Sequence, residues 1–192
     1  MDIALLRQCA LNEWEGNNLW VLPYHTKRSG TADGVSKFIW QFKNGDLEAL
    51  YTAVQLLSEA IEEHEDTLRS QYECSVIASA PSSRQGFPKS LPESVCSELA
   101  KRYRWLAHAP RLLQRIQTVR QAHRCPPGER PNFGTHIQTI ACGAQYNLDG
   151  CGVLLFDDVL TTGGTSLACA AILRQEANCG NVVGLFLGRT QR

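Results

Sequence analysis

The sequence has no net charge to offer a partner: 19 Lys and Arg balance 19 Asp and Glu. No global field therefore draws the chain to nucleic acid or to an anionic membrane. It also lacks any apolar run long enough to cross a bilayer, and near its start an acid, Asp2, stands where a secretory signal would be basic and then apolar. Eight cysteines occur, yet none forms a Cys-x-x-Cys pair and no Cys/His spacing matches a zinc site. Cys74, Cys142 and Cys169 lie in apolar segments, where a free thiol behaves as a small hydrophobe. A reducing cytoplasm is the expected home. Internal repeats and low-complexity segments are absent, which excludes solenoids and disordered arrays. Neither Gly-x-x-x-x-Gly-Lys-Ser/Thr nor Gly-x-Gly-x-x-Gly occurs, so the P-loop and the dinucleotide fingerprint are excluded as well.

What is present suits one globular domain. The chain has 192 residues, 43% of them hydrophobic and 20% charged. Charge is unevenly placed. Lys101 to Arg130 holds seven Arg and one Lys against a single acid, Glu129, whereas Glu59 to Asp66 holds five acids and no Lys or Arg. The acidic run reads as the solvated face of a helix.

Periodicity organises the rest. "NNLWVLPYHT" reads as a short strand ended by Pro23. Val35, Phe38, Ile39 and Phe42 recur at helical spacing, and Lys43 then reads as a cation at that helix's C-terminus. Leu47, Leu50, Tyr51, Val54, Leu57 and Ile61 form the stripe of a second helix, with Asp46 as its N-cap. "CSVIASAP" is a buried strand followed by the polar loop "SSRQGFPK". Ser90 and Glu93 suggest a capping box, ahead of a face made by Val95, Leu99, Tyr103 and Leu106. Residues from about Arg115 to Gly134 read as a long loop. "THIQTIAC" and "CGVLLF" look like strands, "TSLACAAILRQEAN" like a helix and "NVVGLFLG" like a final strand. Trp14, Trp20, Trp40 and Trp105 read as packing residues. Strands alternating with helices predict βαβ units and a mostly parallel sheet, which binds ligands beyond the carboxyl ends of its strands.

One stretch stands out at such an end. In "GVLLFDDVLTTGGTS" an apolar run closes on Asp157 and Asp158, and a loop of hydroxyls and glycines follows. Thr161, Thr162, Gly163, Gly164 and Thr165 precede a helix, whose N-terminus adds partial positive charge to converging N–H groups. A monophosphate fits that loop. The carboxylates only accept hydrogen bonds, so they suit sugar hydroxyls or a metal ion. A ribose 5-phosphate satisfies both halves, the sugar's width keeping its phosphate away from the acids. The plain alternative is a strand–turn–helix connection with capping Asp and Thr.

Val153 to Thr165, "VLLFDDVLTTGGT", resembles the phosphoribosyl-pyrophosphate (PRPP) signature of type I phosphoribosyltransferases. "KFIWQFKNGD", "APSSRQGF" and "RIQTVRQAH...ERPN" resemble the ComF-like, competence-associated branch, and the resemblance spans roughly residues 24 to 190. Two features depart from it. The Cys-x-x-Cys ribbon common at the start of ComF-like proteins is absent. Thr161 stands where purine-salvage members carry an acid, which argues against hypoxanthine or guanine as substrate.

The resemblance implies an α/β, type I phosphoribosyltransferase fold: a mostly parallel central sheet flanked by helices, residues 46–192, with a small hood over residues 1–45. It implies transfer of a phosphoribosyl group to a nitrogen nucleophile with release of pyrophosphate. Asp157 and Asp158 would be catalytic, positioning ribose and Mg²⁺ directly or through bound water, and Thr161–Thr165 would hold the 5-phosphate. Ser82, Ser83 and Arg84 would hold pyrophosphate. In the basic stretch, Arg120 and Arg124 would also be catalytic, closing with Arg115, His123 and Arg130 as a lid over pyrophosphate, the plain alternative being a solvated loop. A homodimer is common in this fold. PRPP and an unidentified small acceptor are the expected partners, no membrane is expected, and nucleic acid is the less favoured partner of the basic segment. A non-catalytic PRPP-binding protein assisting DNA uptake or processing is the alternative function.

Overall fold

The computed structural model describes residues 3–25, 34–86, 90–120, 125, 131–143 and 145–191. Its frame is a six-stranded sheet. Strands β1 (Glu13–Glu15), β2 (Asn18–Tyr24), β3 (Cys74–Ser79), β4 (Ala107–His108), β7 (Gly152–Leu160) and β8 (Val182–Thr190) lie in the order β1-β2-β8-β7-β3-β4. Every pairing is parallel except β1 with β2. Two further strands, β5 (Leu113–Arg115) and β6 (Ile140–Cys142), form a separate antiparallel pair. The α/β class, with a mostly parallel sheet flanked by helices, is therefore the observed architecture.

Both sheet faces are covered, which is why the central strands read as unbroken apolar runs. Along β7 the side chains alternate between two cores. Leu154 and Phe156 join Ile77, Val183 and Leu185 beneath α2 (Gly34–Lys43), α3 (Leu47–Glu63) and α4 (Ser90–Arg102). Val153 and Leu155 join Val76, Ala78 and Val182 beneath α6 (Gly164–Glu176) and the β5–β6 pair. The short helix α1 (Ile3–Cys9) adds Leu6 to the first core. Asp46 caps α3 as its position implies, its carboxylate accepting the Ala49 N–H at 3.1 Å. No helix among the described residues is long and apolar enough to cross a membrane.

Local expectation and structure part at four places. The strand β2 does not stop at Pro23 but runs to Tyr24. Val21 uses its carbonyl toward the β1 side, accepting from Leu11, and Pro23 turns its nitrogen to that same side, past the end of β1. A missing N–H costs nothing at such an edge. "THIQTIAC" is not one strand: Phe133–Thr139 forms the helix α5, and β6 begins only at Ile140. Asn132 starts the helix by accepting the Thr135 N–H at 3.0 Å. Glu93, expected to act within a capping box, accepts from Ser79 at 2.6 Å and lies 3.1 Å from His108. Trp40, expected in packing, is 52% exposed on α2.

Candidate functional site

Neighbouring parallel strands end side by side at the site. β3 and β7 pair up to Ser79 opposite Phe156, and the Ala80 N–H carries the ladder one step further onto the Phe156 carbonyl at 2.8 Å. The chain leaving β3 makes the loop that contains Ser82, Ser83 and Arg84. β7 carries the acid pair near its carboxyl end, and the chain that leaves it after Leu160 runs through Thr161 into α6. A parallel sheet thus brings together two segments more than seventy residues apart in sequence.

The Thr161–Thr165 loop joins β7 to α6 through a left-handed glycine. Gly163 is the N-cap of α6 with φ +76°, a left-handed conformation that lets the chain turn sharply from strand to helix. Gly164 has ordinary φ, and a side-chain carbon there would meet only van der Waals neighbours, the nearest at 3.7 Å. Thr161 and Thr162 are exposed, while Gly163, Gly164 and Thr165 are half-buried. The first-turn N–H groups of α6 have no intrahelical acceptor and point out of the helix end. Ser166 donates to Asn18 Oδ1 on β2 at 3.3 Å, tying the helix start to the sheet.

Asp157 and Asp158 are half-buried and act on different cations. Asp158 Oδ2 lies 3.5 Å from Lys43 Nζ at the end of α2. Asp157 acts electrostatically on Arg115, on the other side of β7. Each also accepts a backbone hydrogen bond at 2.9 Å, Asp157 from the Asp158 N–H and Asp158 from the Val159 N–H. Lys43 is thus more than a helix-end cation: it also lies 5.8 Å from the Tyr24 ring centre.

The Ser82–Arg84 loop is pinned from within and from outside. Ser82 Oγ donates to the Arg84 carbonyl at 2.9 Å and accepts the Arg84 N–H at 3.1 Å. The stretch after β5 binds it along its length: Val119 N–H donates to Ser83 at 2.9 Å and Gln85 N–H donates to Thr118 at 3.0 Å. Arg120, exposed, follows directly on Val119 and so stands beside this loop. Arg124, His123 and Arg130 lie outside the described residues.

Arg115 is not a lid residue. It ends β5, is 5% exposed, and its guanidinium is spent internally. Its Nε donates to the Ser82 carbonyl at 3.0 Å and its Nη1 to Thr139 Oγ1 at 2.7 Å, while both Nη atoms lie 3.4 Å from His136 Nδ1. Burial lowers the Arg115 pKa, opposed by Cys169 and Asp157. On α5, His136 completes the chain with Nε2 3.2 Å from Thr165 Oγ1. Burial, and then the charge of Arg115, push the His136 pKa down to about 4. Arg115 and His136 therefore bridge the loop after β3 to the loop after β7. The sequence alone misses His136 because its segment reads as a strand. His136 and Thr139 share a helix face at i, i+3, and that spacing is the available signal.

Neither a known protein family nor a curated protein matches the sequence. Solved structures resembling the chain are adenine phosphoribosyltransferases. One from Thermoanaerobacter pseudethanolicus is 16% identical at a TM-score of 0.44, over 77% of this chain and 83% of that one. Another is 14% identical at 0.42, over 79% and 89%. One from Leishmania tarentolae is 16% identical at 0.35, over 94% of each chain. Scores this low carry no functional weight.

Those residues offer hard oxygen donors. Among the described residues no cluster of three or more His, Cys, Asp or Glu could hold a metal by itself. Two carboxylates at a strand end nevertheless suit Mg²⁺, which keeps several waters and binds through one or two carboxylates plus the phosphates of a substrate. With Asp158 drawn toward Lys43 and Oδ1 of each acid taken by backbone N–H, the fit is to a hydrated ion shared with a ligand.

Proposed function

We propose that this chain binds PRPP with Mg²⁺ and transfers its phosphoribosyl group to a nitrogen nucleophile, in the manner of a type I phosphoribosyltransferase of the ComF-like branch. One observation carries the reading: two loops suited to phosphate follow adjacent parallel strands, β7 and β3, with the acid pair on the strand between α2 and Arg115. The 5-phosphate rests on Gly163, Gly164 and the hydroxyls of Thr161, Thr162 and Thr165. The ribose hydroxyls donate to Asp157 and Asp158. Pyrophosphate faces Ser82, Ser83 and Arg84, with Arg120 beside them.

In the reaction the bond from C1 to the pyrophosphate oxygen breaks and a bond from C1 to nitrogen forms. Pyrophosphate leaves with the electron pair, and the nitrogen's proton passes to solvent. Mg²⁺, when bound, offsets charge on the leaving group. The protein's share is to hold both ends of PRPP, so that positive charge developing at the anomeric carbon lies near the two carboxylates. Residues 1–45 supply Tyr24 and Lys43 next to Asp158, and we assign the acceptor to that side.

Isothermal calorimetry of PRPP with Mg²⁺, followed by phosphorus NMR with nucleobases and simple amines, tests the proposal. Binding of PRPP and pyrophosphate release only when an acceptor is present are expected. PRPP binding without release for any acceptor would leave a PRPP-binding protein and overturn the transfer; no binding of PRPP would overturn both.

A further inference from the structure

The pair Arg115–His136 lies behind the phosphate loop rather than in it, and its hydrogen bonding determines a proton. A guanidinium has donors only, so at the contact with His136 the imidazole Nδ1 must be the acceptor. A neutral imidazole whose Nδ1 accepts carries its hydrogen on Nε2. That hydrogen lies on the atom 3.2 Å from Thr165 Oγ1, so His136 donates and the Thr165 oxygen accepts. The hydroxyl's own hydrogen is thereby turned away from His136. Among the described residues no acceptor takes it, and Thr165 stands in the first turn of α6.

The anchoring is rigid at each step. Arg115 is held by the Ser82 carbonyl and by Thr139 Oγ1, and the Thr139 hydroxyl passes its own hydrogen to the Thr135 carbonyl at 2.6 Å. Thr135 in turn donates its N–H to the Asn132 cap. The titratable groups that act on the pair are Cys169 and Asp157, which favour the Arg115 cation, and Arg115 itself, which together with burial disfavours a second charge on His136.

We propose that Arg115 and His136 are positioning residues that commit the Thr165 hydroxyl to donating toward a phosphate held in the Thr161–Thr165 loop. The inference rests on the phosphate site of the proposed function and extends it to two side chains that do not touch the ligand. It also couples the two loops. Arg115 donates to Ser82 in one, and through His136 it sets a donor in the other, so disturbing Ser82 is felt at Thr165.

The test uses ribose 5-phosphate, which lacks pyrophosphate and so leaves the Ser82–Arg84 loop out of the measurement. Its affinity is measured by calorimetry for the unaltered protein and for His136→Gln, His136→Ala, Thr165→Val and the double variant His136→Ala/Thr165→Val. A Gln side chain can accept from Arg115 with its carbonyl and donate to Thr165 with its amide. His136→Gln is therefore expected to bind within about threefold of the unaltered protein, while His136→Ala and Thr165→Val each weaken binding about tenfold, the worth of one hydrogen bond to a charged group. Because His136 acts through the Thr165 hydroxyl, the double variant is expected to match Thr165→Val instead of losing a further tenfold. Nitrogen-15 NMR of labelled histidine, read on the ligand-free protein at neutral pH, is expected to show His136 as the Nε2–H tautomer.

Several results overturn the inference. An Nδ1–H tautomer or a protonated ring would remove its premise. Equal losses for His136→Gln and His136→Ala, or additive losses in the double variant, would make His136 a packing residue. Should His136→Ala fail to fold, the tautomer and the comparison of His136→Gln with Thr165→Val still decide. A protein that binds no ribose 5-phosphate at all would overturn the site itself, whereas binding that ignores every His136 substitution would overturn only the positioning role of His136.

Discussion

Asp157 and Asp158 show how much a residue's meaning depends on what faces it. As neighbours in sequence they would only repel, and their removal would relieve the folded state. In the structure Asp158 meets Lys43 and Asp157 acts on Arg115, and the two cations differ in exposure. Lys43 is 38% exposed at its side chain, so water screens its pairing with Asp158. Asp158→Asn is expected to change stability by no more than about 0.5 kcal/mol. Asp157 acts electrostatically on the buried Arg115, and Asp157→Asn is expected to lower the thermal midpoint more than Asp158→Asn does. Both changes remove an acceptor for ribose, so the double variant is expected to weaken PRPP tens-fold or more, at about 1.5–3 kcal/mol for each hydrogen bond to a charged group. Unchanged PRPP affinity by calorimetry would take the acids out of the site.

His136 carries a pH dependence at the same scale. Unfolded, its imidazole protonates near the ordinary value of about 6.5, and folded only near about 4. Between those values the unfolded chain binds more protons, so the contribution of neutral His136 to stability is complete above the upper value and is lost as pH falls toward the lower. Thermal midpoints measured from pH 7 down to pH 4 are expected to fall less steeply for His136→Gln than for the unaltered protein. Parallel slopes would mean that His136 titrates in the fold as it does in the unfolded chain.

At the scale of elements, the strand–loop–helix unit of β7 and α6 has one position that demands glycine and one that does not. Gly163 sits at φ +76°, where a β-branched side chain costs about 1–2 kcal/mol. Gly164 is under no such constraint. Gly163→Val is expected to lower the thermal midpoint and abolish ribose 5-phosphate binding together. Gly164→Val is expected to lower binding with little change in midpoint, since its side chain would intrude on the ligand more than on the protein. Equal midpoints for the two variants would show that the turn tolerates a side chain at Gly163. In the helix α5, Thr135, Ile137 and Thr139 favour a strand by propensity, yet the Asn132 cap and the fit of His136 and Thr139 against Arg115 select a helix.

For the molecule as a whole, a ligand that binds only the folded chain must stabilise it. PRPP with Mg²⁺ at a hundred times its dissociation constant contributes about 2.7 kcal/mol, or roughly 5–10 °C in thermal midpoint for a domain of this size. Ribose 5-phosphate and pyrophosphate, which each fill part of the site, are expected to give smaller shifts than PRPP. A shift produced by single-stranded DNA and not by PRPP, fading steeply with salt as counterions are recaptured, would move the basic segment to nucleic-acid contact.

The α/β class, the capped helix α3, the buried strands β3, β7 and β8 and a glycine turn at Gly163 or Gly164 were legible in the sequence. Each rests on a local rule: period-two or period-3.6 burial, a carboxylate on free N–H groups, a glycine at positive φ. The anion-loop composition beside an acid pair was legible for the same reason, since both lie on one continuous stretch. Only the tertiary structure decided that Arg115 is buried instead of poised over a ligand, that Lys43 reaches Asp158, and that His136 joins the two loops. Those facts depend on which segments the parallel sheet and its covering layers bring together across long separations. A single sequence carries no local signal of that pairing, because the side chains that meet obey no shared period.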